Sequence, residues 1–195
     1  MLKRAILSSF LCYDSGMNIC VFCAATDQSE KYVAPANELA KFLAENGHSL
    51  VWGGSDIGLM KVMASGVQEG GGKIYGVSME LLKHKARLDA DEMIIAKDLG
   101  ERKALMLSRS DAIVVLVGGL GTLDEVTEII ELKKHKTHTK PIIFLNTDGF
   151  YEGLRIQLER MDTEKFLPRP LGELVEFAKS PSDIISKLKD YESNL

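Results

Sequence analysis

At 195 residues with 45% hydrophobic side chains, the chain is long enough to bury one α/β core and short for two, so a single domain is expected. A formal net charge of −4 argues against a nucleic-acid surface, and any anion bound should be small. Cys12, Cys20 and Cys23 are an odd number with no disulfide framework, which points to a reducing, cytoplasmic setting, and no apolar run is long enough to span a bilayer, so no membrane contact is expected.

Residues 1–16 carry Lys3, Arg4 and a short apolar run that faintly resembles a signal peptide, but a small-residue cleavage pattern is missing. A strand starts directly after Met17, so these residues are read as a weakly ordered extension and 17–195 as the domain. Strand-like runs then recur at 18–23, 49–52, 73–78, 92–96, 112–117 and 141–145. Helical periodicity separates most of them, at about 32–46, 57–69, 101–109, 122–134 and 150–161, with a last helix near 182–190. This alternation predicts an α/β fold with a doubly wound, mainly parallel sheet and helices on both faces.

In such a sheet ligands sit beyond the carboxyl ends of the strands, where the strand order reverses. Three loops qualify. The first, after the opening strand, offers the hydroxyl of Thr26 to a phosphate or ribose. The second contains Gly53, Gly54, Ser55 and Gly58 and opens a helix. The third, Gly118, Gly119, Gly121 and Thr122, follows the apolar run 112–117 and opens another helix, whose free N–H groups and positive dipole end suit a phosphate. One glycine turn can be geometry alone; two in one small sheet, each leading into a helix, are a stronger sign of a phosphate cradle.

Several residues admit a plainer reading. Thr122 and Glu125 have capping-box spacing, in which each would satisfy a free N–H at the helix start. Arg102 and Lys103 fit a solvated helix face paired with Asp98 or Glu101. Glu125, Glu128 and Glu131 share a similar face, which invites a metal, but no histidine joins them at ligand spacing and none is expected. Cys20 and Cys23 form a CxxC, yet residues three apart on a strand face opposite ways, so both are read as core. The basic run 133–140 reads as a solvated helix end, Trp52 as packing with a stacking role open, and Met60, Met63, Met79, Met93 and Met106 as core filler.

The ordered motifs resemble the LONELY GUY family of cytokinin-activating phosphoribohydrolases, whose members were long labelled lysine decarboxylases. The resemblance runs from Met17 to about Leu158, through Cys20-Val21-Phe22-Cys23, the Trp52-Gly53-Gly54-Ser55-Asp56-Ile57-Gly58-Leu59-Met60 loop, Glu101-Arg102-Lys103-Ala104-Leu105-Met106 and the signature Gly118-Gly119-Leu120-Gly121-Thr122-Leu123-Asp124-Glu125. It implies a Rossmann-like homodimer without a cofactor that hydrolyses the N-glycosidic bond of a nucleoside 5'-monophosphate. It also implies catalytic roles for Arg102 and Glu125, with Lys103 and the 118–122 turn holding the nucleotide. Departures from the family pattern fall at Val117, at Ala24-Ala25-Thr26 and at Glu131-Leu132-Lys133-Lys134, where the family commonly has a Thr-Trp pair and a glutamine. The competing function is a Rossmann-like nucleotide- or cofactor-binding protein without turnover. Pyridoxal-dependent decarboxylation would need an aldimine-forming lysine, and nothing in the sequence singles one out.

Overall fold

Alternation along the first strand sets the layering. In the computed structural model, which describes residues 16–193, Ile19 and Val21 of β1 (Asn18–Phe22) pack into one apolar layer while Cys20 and Phe22 pack into the other. Both faces of this strand are buried, as a central parallel strand requires. The neighbouring strands are β2 (Ser49–Trp52), β3 (Ile74–Met79), β4 (Glu92–Ala96), β5 (Ala112–Val115), β6 (Ile142–Leu145) and β7 (Glu176–Ala178). All pairings are parallel, in the order β4-β3-β2-β1-β5-β6-β7. The chain therefore winds outward from β1 to one edge, returns to β5 and winds to the other, a doubly wound, Rossmann-like sheet.

Helices fill both faces. On one side lie α1 (Glu30–Glu45), α2 (Gly58–Glu69) and α7 (Pro181–Glu192), through Leu39, Leu43, Met63, Val67, Ile184 and Leu188. On the other lie α3 (Leu99–Ser108), α4 (Leu120–Lys134), α5 (Glu152–Thr163) and the single turn α6 (Leu171–Leu174), through Met106, Val126, Ile129, Leu154 and Leu174. Short 3-10 turns occupy Glu80–Lys85 and Thr147–Gly149. The six expected strands and six expected helices are present with ends shifted by a few residues. Missing from the expectation are β7 and α6. Val175-Glu176-Phe177-Ala178 alternates for too few residues to announce a strand against the background of turns.

Cys20 and Cys23 lie in opposite layers, and burial raises both thiols far above their ordinary range. Cys12 and, apart from Gly16, the expected N-terminal extension of residues 1–16 lie outside the described residues. Trp52 is fully buried and its indole N–H donates to the Ser55 carbonyl at 3.2 Å, which settles it as packing. The basic run is a correction. Only part of it is solvated, because Lys133 shares the inward face of α4 with Val126 and Ile129 and is buried, and Lys140 donates to the Leu107 carbonyl near the end of α3. Among the described residues no helix is long and apolar enough to cross a membrane.

At the opposite end of the sheet from the glycine turns, buried His48 accepts the Met17 N–H on Nδ1 at 3.0 Å. Burial lowers its pKa, and His138 is lowered by burial as well. The folded state thus binds these protons less tightly than the unfolded chain. Their stabilising contribution is complete above the unfolded histidine pKa of about 6.5 and is lost as pH falls below it. Thermal denaturation should show a melting temperature that drops on acidification from about pH 7.5 through this window, and His48→Gln should flatten part of that dependence.

Candidate functional site

The reversal of strand order falls between β1 and β5, and the loops that follow these two strands are tied together. Leu116 N–H donates to the Phe22 carbonyl at 2.9 Å and Ala24 N–H to the Val117 carbonyl at 3.0 Å. Ala24 in turn accepts from Met60 N–H at the start of α2. Gly58 is obligatory here: with φ of +59°, any Cβ would lie 2.3 Å from the backbone N and O of Thr26. Three loops that are distant in sequence are thereby packed at one end of the sheet. Thr26 itself is exposed, its hydroxyl accepting from the Gln28 amide at 2.9 Å.

Arg102 and Glu125 meet at this end. Arg102 projects from α3 and is 5% exposed; each of its donor nitrogens has a partner. Nε donates to the Val77 carbonyl of β3 at 2.8 Å, Nη2 to the Gly53 carbonyl after β2 at 3.2 Å, and Nη1 to Oε1 of Glu125 on α4. Gly53 makes this possible, since a Cβ would sit 2.2 Å from Nη2 of Arg102 and 2.8 Å from Cε of Met60. Glu125 is equally buried at 5% exposure. Burial pushes its carboxyl above the ordinary range, and the Arg102 charge and hydrogen bond oppose that shift without cancelling it. A buried carboxyl whose pKa is shifted by desolvation beside a specific charge partner is a candidate functional group.

The capping-box reading of Glu125 does not match the helix start. Helix α4 begins at Leu120 with Gly119 as its N-cap and has no side-chain cap, so Thr122 and Glu125 lie inside the helix rather than at its boundary. The first turn keeps free N–H groups beside exposed Gly119 and Gly121, half-buried Gly118 and buried Thr122. The capping arrangement appears on α3 instead. Asp98 accepts Glu101 N–H at 2.8 Å and the Glu101 carboxylate takes the Lys97 N–H at 2.7 Å. Those carboxylates are therefore committed to the helix end, and Arg102 and Lys103 turn to α4.

Lys103 is also buried, bonded to Asp124 at 3.0 Å and Glu128 at 2.5 Å. Burial works against its charge, but these two carboxylates outweigh it and hold its pKa above the usual lysine value. The ammonium thus fastens α3 to α4 and does not face the 118–122 turn as a free cation. Glu128 belongs to this strut, whereas Glu131 pairs with Lys134 and His135, so the three carboxylates divide among separate partners. In the second turn the Gly54 carbonyl accepts the Arg87 N–H, and buried Ser55 forms an isolated bridge with Ala86. Arg87 had no signal in the sequence, because its partners Asp56, Ser65, Gln68 and Asp89 are brought together only by the fold.

A doubly wound sheet with two glycine turns, each leading into a helix at its carboxyl end, and a buried Arg–Glu pair between them, defines an α/β protein of the Rossmann-like class. A family model described as "Possible lysine decarboxylase" matches residues 60–188. The chain is 34% identical over 176 residues to the probable cytokinin riboside 5'-monophosphate phosphoribohydrolase LOGL5 of Oryza sativa subsp. japonica, covering 89% of this chain and 72% of that protein. It is 33% identical over 177 residues to the probable cytokinin riboside 5'-monophosphate phosphoribohydrolase LOG6 of Arabidopsis thaliana, covering 89% and 88%. Among solved structures, the Moco carrier protein from Chlamydomonas reinhardtii superposes with a TM-score of 0.71 at 25% identity over 92% of this chain and 99% of that one. The molybdenum cofactor binding protein from Rippkaea orientalis gives 0.71 at 23% identity over 90% and 96%, a likeness of fold. The chain belongs to the LONELY GUY family, for which the lysine-decarboxylase description is the family model's label.

Breaking a buried ion pair from one side leaves an uncompensated charge and costs about 3–5 kcal/mol. Glu125→Ala should therefore lower the free energy of unfolding by about that amount in urea denaturation, while Glu125→Gln, which keeps an acceptor for Arg102, should cost less.

Proposed function

We propose that this protein hydrolyses the N-glycosidic bond of a nucleoside 5'-monophosphate, adenosine monophosphate or an N6-modified relative, to free base and ribose 5-phosphate. The observation that carries the reading is the buried Arg102–Glu125 pair set beside the uncapped start of α4 in a chain of this family. The 5'-phosphate binds at the free N–H groups of the first turn of α4, within the 118–122 turn, where backbone donors and helix dipole act together. Thr26 and the turn of Gly53, Gly54, Ser55 and Gly58 line the nucleotide on the side of β1 and β2.

Glu125, one helical turn beyond the phosphate, faces the sugar. As the bond from C1' to the base nitrogen breaks, positive charge builds on the ribose ring, and a carboxylate beneath it stabilises that charge and orients the attacking water. The water oxygen bonds to C1', one of its protons is lost to the site, and the departing nitrogen gains a proton, so that base and ribose 5-phosphate account for all atoms. Arg102 favours the ionised form of the carboxyl and aims it, because its own three hydrogen bonds fix it to β3, the β2 turn and Glu125. Lys103 contributes by locking α3 to α4 through Asp124 and Glu128.

A homodimer in a reducing, cytoplasmic setting belongs to the same proposal. The homodimer is supported by exposed apolar side chains, Leu81 and Leu88 between β3 and β4 and Leu99 at the start of α3.

Incubation with adenosine monophosphate and its N6-isopentenyl derivative, with products resolved by chromatography, should release free base. Absence of base release from every adenine nucleotide tried would contradict the reading. Glu125→Gln should lower kcat by about a hundredfold or more. Protonation removes the carboxylate, and burial has raised its pKa, so kcat/KM should fall on acidification along a limb lying above the ordinary carboxylate value of about 4.3, and the variant should lack that limb.

A further inference from the structure

We infer that Arg87 is a positioning residue for the Arg102–Glu125 pair, acting through the turn that carries Gly53 and Gly54. The inference rests on the hydrolase reading for its consequence in turnover, but its structural chain can be followed without it.

Between the first 3-10 turn and β4, residues 83–89 lie as a strap against the β2 turn. Two backbone hydrogen bonds join them, Asp56 N–H to the Lys85 carbonyl at 2.8 Å and Arg87 N–H to the Gly54 carbonyl at 2.9 Å, and together they make the antiparallel bridge between Ser55 and Ala86. The one large apolar side chain of residues 83–89, Leu88, is 98% exposed and does not anchor the strap. Its anchor is the Arg87 side chain, which is 12% exposed. Nη1 donates to Asp56 and to Ser65 Oγ of α2, both at 2.9 Å. Nη2 and Nε reach Gln68 Oε1 of α2 at 2.7 and 3.1 Å, and Nε lies 2.8 Å from Asp89. Gln68 closes the ring by donating to the Asp89 carbonyl at 2.6 Å. A rigid planar fork with several donors suits this task, and a lysine, with one flexible point charge, does not.

Two consecutive carbonyls of this turn serve different ends. Gly54 accepts from the strap, and Gly53 accepts Nη2 of Arg102 at 3.2 Å. A shift of the turn therefore alters one of only three bonds that fix the guanidinium whose third nitrogen holds Glu125. Around Glu125, Asp124 adds like charge and Lys103, from its place on Asp124 and Glu128, adds a smaller favourable charge, so the guanidinium of Arg102 is the main group that opposes burial of the carboxyl. Misplacement of reacting groups by about 1 Å can cost up to about a hundredfold in rate.

The test compares full-length wild type, Arg87→Ala and the milder Arg87→Lys. With adenosine monophosphate as substrate, kcat per folded molecule should fall about tenfold or more in both variants while KM stays within about threefold. The acid limb of kcat/KM should move to higher pH, because looser pairing with Arg102 withdraws the interaction that opposes burial at Glu125. Exchange of the Arg102 Nε–H with solvent, followed by NMR on 15N-arginine protein, should accelerate about tenfold, a readout that needs no turnover. A merely structural Arg87 would lower the melting temperature and leave the limb and the exchange unchanged, and that result overturns the inference. Faster exchange with unaltered kcat overturns it too. If wild type releases no base, the hydrolase reading fails by itself and the exchange measurement alone decides whether Arg87 governs Arg102. If Arg87→Ala does not fold, Arg87→Lys carries the comparison.

Discussion

An arginine and a glutamate, both removed from water and joined by a hydrogen bond, form the constraint around which this end of the molecule is built. Two charges in that setting are tolerable only if each remaining donor and acceptor is met. Arg102 meets the requirement by spending its other nitrogens on carbonyls from β3 and from the turn after β2. The pair thereby connects α3, α4, β3 and the β2 turn, four parts of the chain that share no local sequence. Its position also explains the second strut. Lys103, adjacent on α3, reaches Asp124, adjacent to Glu125 on α4, so the two helices are joined twice over successive residues.

The sheet supplies the rest of the geometry. Parallel strands end on the same side, and at the reversal of order between β1 and β5 the loops from both halves of the sheet are brought together at one end. Close backbone approach is what the glycines provide: Gly58 lets α2 start against Thr26, and Gly53 lets the Arg102 guanidinium lie on the turn. The uncapped start of α4 is the complement of these contacts. The start of α4 leaves its first N–H groups without a side-chain cap, as do α1, α2, α5 and α6, whereas α3 and α7 are capped by Asp98 and Ser180.

Much of this was legible in the sequence, for reasons that differ by residue. The strands could be read because a sheet buried on both faces demands continuous apolar runs such as Ala112-Ile113-Val114-Val115, and the helices because their apolar stripes recur at helical spacing. The glycine turns could be read as candidates because glycine followed by a helix start has few uses. Three things could not. The short β7 has too few residues for periodicity to register. The fate of Thr122 and Glu125 depended on whether the helix began at Thr122 or two residues earlier, and boundaries are set by packing that spacing does not contain. Lys103, Lys133 and Arg87 look like surface cations in one dimension, and only the fold brings carboxylates, apolar layers and α2 around them.

The central claim is that Arg102 and Glu125 act as a unit in which each depends on the other. A double-mutant cycle on kcat/KM for adenosine monophosphate, with Arg102→Lys, Glu125→Gln and the double variant, tests this most directly. The account predicts that the double variant is about as impaired as the worse single variant, so that the two losses fail to multiply. Losses that multiply, each residue contributing its own factor regardless of the other, would contradict it.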